Sequence, residues 1–324
     1  MLDIVITHYD EPWEVCKRLF QTLDAQRGVD WSDIRVTVVN DGDLFIDAWH
    51  LFDMNYYVHQ YSIEHKGVSA ARNKGIYVTR MPWIMFCDCD DCFSNVYALA
   101  DIMSVIKSPD AERYDMMWTK VWQEKPDGQV CEIPDKRIMV FIHGKIYRRA
   151  FLEHEEIRFD ESMTFNEDSL FNATIMSRIP NTRIGAITTA FPGYVWINRE
   201  GSVTSADGWQ DKHALGQFSR NLKIAAEIKE HKPEEYRGMV TRVIYDTYFM
   251  AKSGRYTGVC KAQILEQFRM WVKDKRQLLG MVEPKTFKSI KDISRRELTE
   301  PGEDIQDDYC TVRSWMEDVL EGKA

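Results

Sequence analysis

The chain has 324 residues, 44% of them hydrophobic and 29% charged, with a formal net charge of −9. That length buries a sizeable core in one large or two ordinary domains, and the composition excludes a disordered chain. No apolar run reaches the roughly 18 residues of a membrane-spanning helix, so no transmembrane segment is expected.

The N-terminus, MLDIVITHYDEPW, has no basic region leading into an apolar stretch and a cleavage site, so no signal peptide is expected. With seven cysteines, an odd number, that predicts free thiols and a cytoplasmic protein. DIVIT (3–7) predicts a short strand. Pro12 then opens a helix in which Val15, Leu19, Phe20 and Leu23 recur at helical spacing. IRVTVVNDGD (34–43) predicts a second strand running into an Asp-Gly turn. MNYYVHQYSI predicts a third strand, GVSAARNKGIYVT a helix and WIMFCD a fourth strand. This alternation is the pattern of βαβ units on a parallel sheet.

Beyond these units the pattern changes. YDMMWTKVWQ and QVCEI flank EKPDG, whose Pro and Gly predict the turn of a β-hairpin. NEDSLFNATIMSRI predicts a helix, and TRIGAITTAFPGYVWIN two more short strands. From Asp207 onward strand signals stop. There Leu215, Phe218, Leu222 and Ile228 share one helical stripe, and three or four further helices are expected. The expected organisation is an α/β part at 1–205 and a helical part at 206–324.

Chemistry concentrates in CDCDDC (87–92). On an extended backbone Asp88 and Asp90 point one way and Cys87 and Cys89 the other. Cys89 and Cys92 have C-x₂-C spacing, but no second such pair exists, so the cysteines are expected to act as small buried hydrophobes. Clustered carboxylates at the end of a buried parallel strand repel one another, and Mg²⁺ or Mn²⁺ would relieve that repulsion. Asp41 closes another strand at the crevice where α/β sheets bind ligands, with Arg72 and Lys74 beside it. Neither G-x-G-x-x-G after a strand nor G-x-x-x-x-G-K-[ST] occurs, against a dinucleotide fold and a P-loop.

Seven segments in order, IVITHYDEPW, VVNDGD, GVSAARNKGI, IMFCDCDD, HGKIYRRAFL, FNEDSLFN and YVWINREGSVT, resemble family-2 glycosyltransferases of the GT-A fold over roughly residues 1–205. The resemblance implies a Rossmann-like mixed α/β sheet that binds a nucleotide-diphosphate sugar, UDP-linked, with Mn²⁺ or Mg²⁺. It implies Asp90 as direct metal ligand, Asp88 as a metal or donor-ribose contact and Asp91 as a supporting carboxylate. Asp41 and Tyr9 would meet the base, and Arg72, Arg199 and Ser202 the donor. Asp168 would be the catalytic base, with Glu167 its neighbour. The family's usual first loop is replaced here by Thr7, His8, Tyr9 and Asp10, and His8 fits either a donor contact or a structural role.

The helical part matches no pattern of that family. Residues 271–296 hold eight Lys and Arg (Lys273, Lys275, Arg276, Lys285, Lys288, Lys291, Arg295, Arg296) against three acids, in an otherwise acidic chain. They read as a solvated helical face or as a surface for a polyanionic acceptor, either nucleic acid or a phosphate-bearing glycan. Members without membrane anchors include bacteriophage enzymes that glycosylate hydroxymethylated DNA bases or host surface polymers. An uncharged glycan or small-molecule acceptor is the alternative within the family. A nucleotidyltransferase and a non-catalytic binding protein are the rivals outside it.

Overall fold

The computed structural model describes residues 1–134, 140–187, 193–199, 208–273 and 287–323. The chain divides into two compact units, Met1–Ser202 and Val203–Ala324.

The first unit is built on β1 (Leu2–His8), β2 (Ile34–Asp41), β3 (Val58–Ile63) and β4 (Trp83–Asp88). Three helices connect them: α1 (Trp13–Asp24), α2 (Ala48–Leu51) and α3 (Val68–Val78). After β4 come β5 (Cys92–Phe93), α4 (Ala98–Ile106), β6 (Met116–Trp118), β7 (Val121–Glu124), β8 (Val130–Glu132), β9 (Lys145–Arg148) and α5 (Arg149–His154). Then follow α6 (Glu167–Arg178), β10 (Ile184–Ala186) and β11 (Tyr194–Ile197). The large sheet has the order β10-β6-β9-β4-β1-β2-β3, with β9 antiparallel to both neighbours and the remaining pairs parallel. A smaller sheet has the order β5-β11-β7-β8.

Strand periodicity builds the two cores. Along β1, Leu2, Ile4 and Ile6 enter one apolar cluster with Cys16, Leu19 and Phe20 of α1. Val5 enters another, with Ala71 and Ile76 of α3 and Phe171 and Ile175 of α6. Each fully buried side chain of this size contributes roughly 1.5–3 kcal/mol. The close approach of α3 to β1 depends on Gly75, where a Cβ would lie 2.3 Å from Val5 Cγ1. Between β2 and β3, Trp49, Phe52 and Tyr57 stay largely exposed.

The four parallel strands and the hairpin match the sequence reading, and the turn closes with Gly128 at φ 81°. Two details differ. YDMMWTKVWQ is not one strand: it passes from the large sheet (β6) to the small one (β7) at Thr119–Lys120. Nor does the strand alternation run through CDCDDC. β4 stops at Asp88, and Cys89 and Asp90 form a turn. Both Cys87 and Cys89 still join the apolar cluster under α1. Among the described residues every cysteine is free.

The second unit packs α7 (Trp209–His231), α8 (Tyr236–Lys252), α9 (Gly258–Val272), α10 (Phe287–Leu298) and α11 (Tyr309–Leu320) around a separate core. The stripe that α7 buries is Ala214, Gln217, Phe218, Asn221 and Ala225, with Leu215 and Leu222 on its flank. The expected stripe is therefore rotated. Asn221 replaces an apolar residue because its amide donates to buried Asp246 at 2.7 Å, and Arg242 also donates to Asp246. No described helix is long and apolar enough to cross a membrane.

Candidate active site

Register assembles the site at the carboxyl ends of the parallel strands. It sets Thr7 beside Asp88 and His8 beside Asn40. His8 is buried, with Nδ1 2.8 Å from Asn40 Oδ1 and Nε2 3.0 Å from the Glu11 carbonyl, which gives it a structural role.

Asp41 is buried and saturated. Its oxygens accept from the Lys66 and Gly67 amides, both at 2.8 Å, and from His65 Nδ1 at 2.9 Å. His65 stacks on half-exposed Tyr9, with ring centroids 4.1 Å apart and planes 15° off parallel. Asp41 thus organises a stacked aromatic pair at the strand ends, a flat apolar surface of the kind that receives a planar ring.

Arg72 is almost fully buried, and it does not face open space. One guanidinium nitrogen donates to Asp88 Oδ1 and the other to Glu167 Oε1, each at 2.9 Å. A single cation therefore joins the two acidic motifs, β4 to the first turn of α6. Burial alone would raise the Asp88 carboxyl, but Arg72 and then His143 outweigh it and hold Asp88 below the usual carboxylate range. Burial, and next the like charge of Asp168, raise Glu167 despite Arg72. Asn166, at φ 63°, turns the chain into α6, so both acids lie in that helix's first turn, where the dipole favours negative charge. Asp168 accepts the Ser169 amide at 2.6 Å.

The ligand atoms that converge are not the expected pair. Asp88, Asp91 and His143 each place one within 4.8 Å of the others, whereas Asp90 accepts from Arg199 Nε at 2.8 Å. His143 Nε2 lies 3.3 Å from Asp88 and 3.4 Å from Asp91, and no partner among the described residues meets its buried Nδ1. Asp91 is fully buried, accepting from Tyr194 Oη and the Ile197 amide, both at 2.8 Å. That burial pushes its carboxyl up to about 8, against the pull of His143. Two carboxylates and an imidazole make an oxygen and nitrogen donor set suited to Mn²⁺ or Mg²⁺, and the unfavourable charge on Asp91 is what a cation would relieve. The residues present fit such an ion. No cysteine belongs to this set.

Cys87→Ser and Cys89→Ser are therefore expected to leave cation-dependent nucleotide binding nearly unchanged, at some cost in core stability. Asp91→Asn and His143→Ala should weaken it. Titration calorimetry below the melting transition checks this; cation binding lost in the serine variants but kept in His143→Ala would reverse the assignment.

Ser202, Lys275, Arg276 and Lys285 lie outside the described residues. Of the other basic residues, Lys291 and Arg295 pair with Asp307 at 3.2 and 2.9 Å, while Lys273, Lys288 and Arg296 are exposed. Sequence reasoning missed His143 and its neighbour Lys145, which is fully buried with its ammonium lowered to about 7 by that burial. The available signal was a histidine inside HGKIYRRAFL, one of the seven segments. Gly144 stands between them at φ 66°, where a Cβ would lie 2.6 Å from Val121 Cγ2.

The profile of glycosyl transferase family 2 matches residues 3–154. The uncharacterized glycosyltransferase EpsJ of Bacillus subtilis (strain 168) is 24% identical over 200 residues, which cover 53% of this chain and 55% of EpsJ. The chain thus spans about half the length of that relative. The S. aureus TarS 1–349 crystal structure with UDP-GlcNAc superposes with a TM-score of 0.66 at 18% identity, covering 99% of this chain and 92% of that one. The Pyrobaculum calidifontis mannosyltransferase PcManGT, with GDP-Man and Mn²⁺, gives 0.51 at 12% identity, covering 99% and 86%. The strand order, the clustered carboxylates and these likenesses agree: residues 3–154 are similar to glycosyl transferase family 2, and the chain has the GT-A fold.

Proposed function

We propose that the chain is a metal-dependent, inverting glycosyltransferase that moves a sugar from a UDP-sugar to a hydroxyl acceptor. The observation that carries this reading is the Arg72 bridge, which joins Asp88 of the converging donor set to Glu167 of the helix-terminal acid pair. TarS has been crystallised with UDP and UDP-GlcNAc, which makes UDP-GlcNAc the first donor to test.

In this reading the Tyr9–His65 pair receives the base and Asp88, Asp91 and His143 hold the cation. A divalent cation, when bound, offsets charge on the diphosphate leaving group. Arg72 holds Glu167, and Asp168 takes the proton of the acceptor hydroxyl as that oxygen attacks the anomeric carbon from the face opposite the leaving group. Such a base is needed because a neutral hydroxyl is a poor nucleophile. The acceptor we infer is a polyanion, either a phosphate-bearing glycan or hydroxymethylated DNA, met by exposed Lys273, Lys288 and Arg296. Pairing of Lys291 and Arg295 with Asp307 reduces the free charge and favours an uncharged glycan as the second candidate.

A thermal-shift screen of nucleotide sugars with Mn²⁺ tests the donor. Ligand at 100 times its Kd stabilises by about 2.7 kcal/mol, a shift of several degrees. UDP-GlcNAc with Mn²⁺ should raise Tm, and chelation of the metal should abolish the rise. No shift with any nucleotide sugar would defeat the reading.

A further inference from the structure

Asp90 and Asp91 are adjacent in sequence but held by different kinds of partner. Asp91 is fixed by β11: the Ile197 amide and the Tyr194 hydroxyl, each at 2.8 Å, pin that strand to the turn after β4. Among the described residues, Asp90 is held by the side chain of Arg199, whose Nε lies 2.8 Å away, two residues beyond that pin. The Asp90 and Arg199 side chains are 22% and 35% exposed, so water and ions reach this pair. The backbone before Arg199 is anchored while its charged head rests on a solvent-accessible carboxylate, next to a converging donor set that Asp90 does not join.

We propose that Arg199 is a resident counter-ion of Asp90, displaced when a divalent cation enters, so that Asp90 becomes a ligand only once the guanidinium leaves. This rests on the metal-dependent reading above. Two cations cannot both be in contact with one carboxylate without mutual repulsion, so Arg199 and the metal compete. The exchange needs no movement of β11, because the long side chain alone swings. The released guanidinium carries five donors in a planar fork matched to phosphate oxygens, so a diphosphate is its natural next partner. Competition at Asp90 followed by recruitment to the diphosphate makes each ligand favour the other. Cation and UDP then bind with positive coupling, equal in both directions.

Mn²⁺ titration followed by electron paramagnetic resonance, with and without UDP, tests this in wild type, Arg199→Gln, Asp90→Asn and the double variant. Without UDP, Arg199→Gln should bind Mn²⁺ about two- to fivefold more tightly than wild type, the range set by loss of one half-exposed ion pair. In the Asp90→Asn background the same change should have no effect, and the coupling to UDP should shrink in Arg199→Gln. Unchanged or weaker Mn²⁺ binding in Arg199→Gln, or an equal gain in the Asp90→Asn background, overturns the exchange. Wild type that takes up no Mn²⁺ even with UDP overturns the metal-dependent reading, and the exchange with it.

Discussion

Asp168→Asn is expected to lower sugar transfer by about 10²–10⁴ while leaving donor affinity nearly unchanged. Asparagine keeps the shape and still accepts a hydrogen bond at the start of α6, but it cannot take a proton from the acceptor. The geometry separates the two neighbouring acids. Glu167 is mostly buried and engaged by Arg72 at 2.9 Å, so the proposed reading assigns the proton-accepting role to Asp168. Turnover measured beside calorimetric titration of UDP with Mn²⁺ distinguishes a loss of chemistry from a loss of binding. Equal losses in turnover and binding would move Asp168 into the donor site. Full activity in the variant would assign the base elsewhere.

Arg72 should matter to both fold and binding. Arg72→Met leaves Asp88 and Glu167 without their shared cation, and removing one partner of a buried pair costs about 3–5 kcal/mol. Arg72→Lys restores the charge but not the fork, since one ammonium cannot reproduce two divergent 2.9 Å contacts. We expect the lysine variant to fold, to melt lower than wild type, and to bind UDP with Mn²⁺ about 10–100-fold more weakly, the usual effect of losing a residue that orients a metal ligand. Denaturant unfolding and calorimetry check the two parts. Wild-type binding in Arg72→Lys would show that the bridge is only structural.

Much of this was legible in the sequence, because it depends on neighbours. The alternation of β1, the Pro-Asp-Gly turn of the hairpin and the acids at strand ends are local patterns, and they drew attention to Asp41 and Asp88; the Glu167–Asp168 pair was picked out by the family resemblance. What escaped was decided by distant partners. The fold brings Glu167 to Arg72 from 95 positions away, a pairing that the residues around Arg72 do not announce. Asp91 and Asp90 are indistinguishable as letters. Tyr194, 103 positions on, selects Asp91 for burial, whereas Arg199, 109 positions on, takes Asp90. The strand split at Thr119 has the same origin: the Thr119 amide donates to the Gly144 carbonyl at 2.9 Å, a contact no local window contains. In the basic run, too, counting charges says nothing of Asp307, which pairs with two of them.

Gly144 sets a limit on how this protein can diverge. Its backbone lies in the left-handed region, and the space where a side chain would begin is already taken by Val121 and Thr119. On either side stand His143, of the donor set, and buried Lys145. Tyr9, His65 or the exposed cations can be remodelled in small steps, because each of them borders solvent. Position 144 offers no such gradual route. Any replacement there must be accompanied by changes in β7, so descendants should inherit the glycine together with its neighbours as one unit.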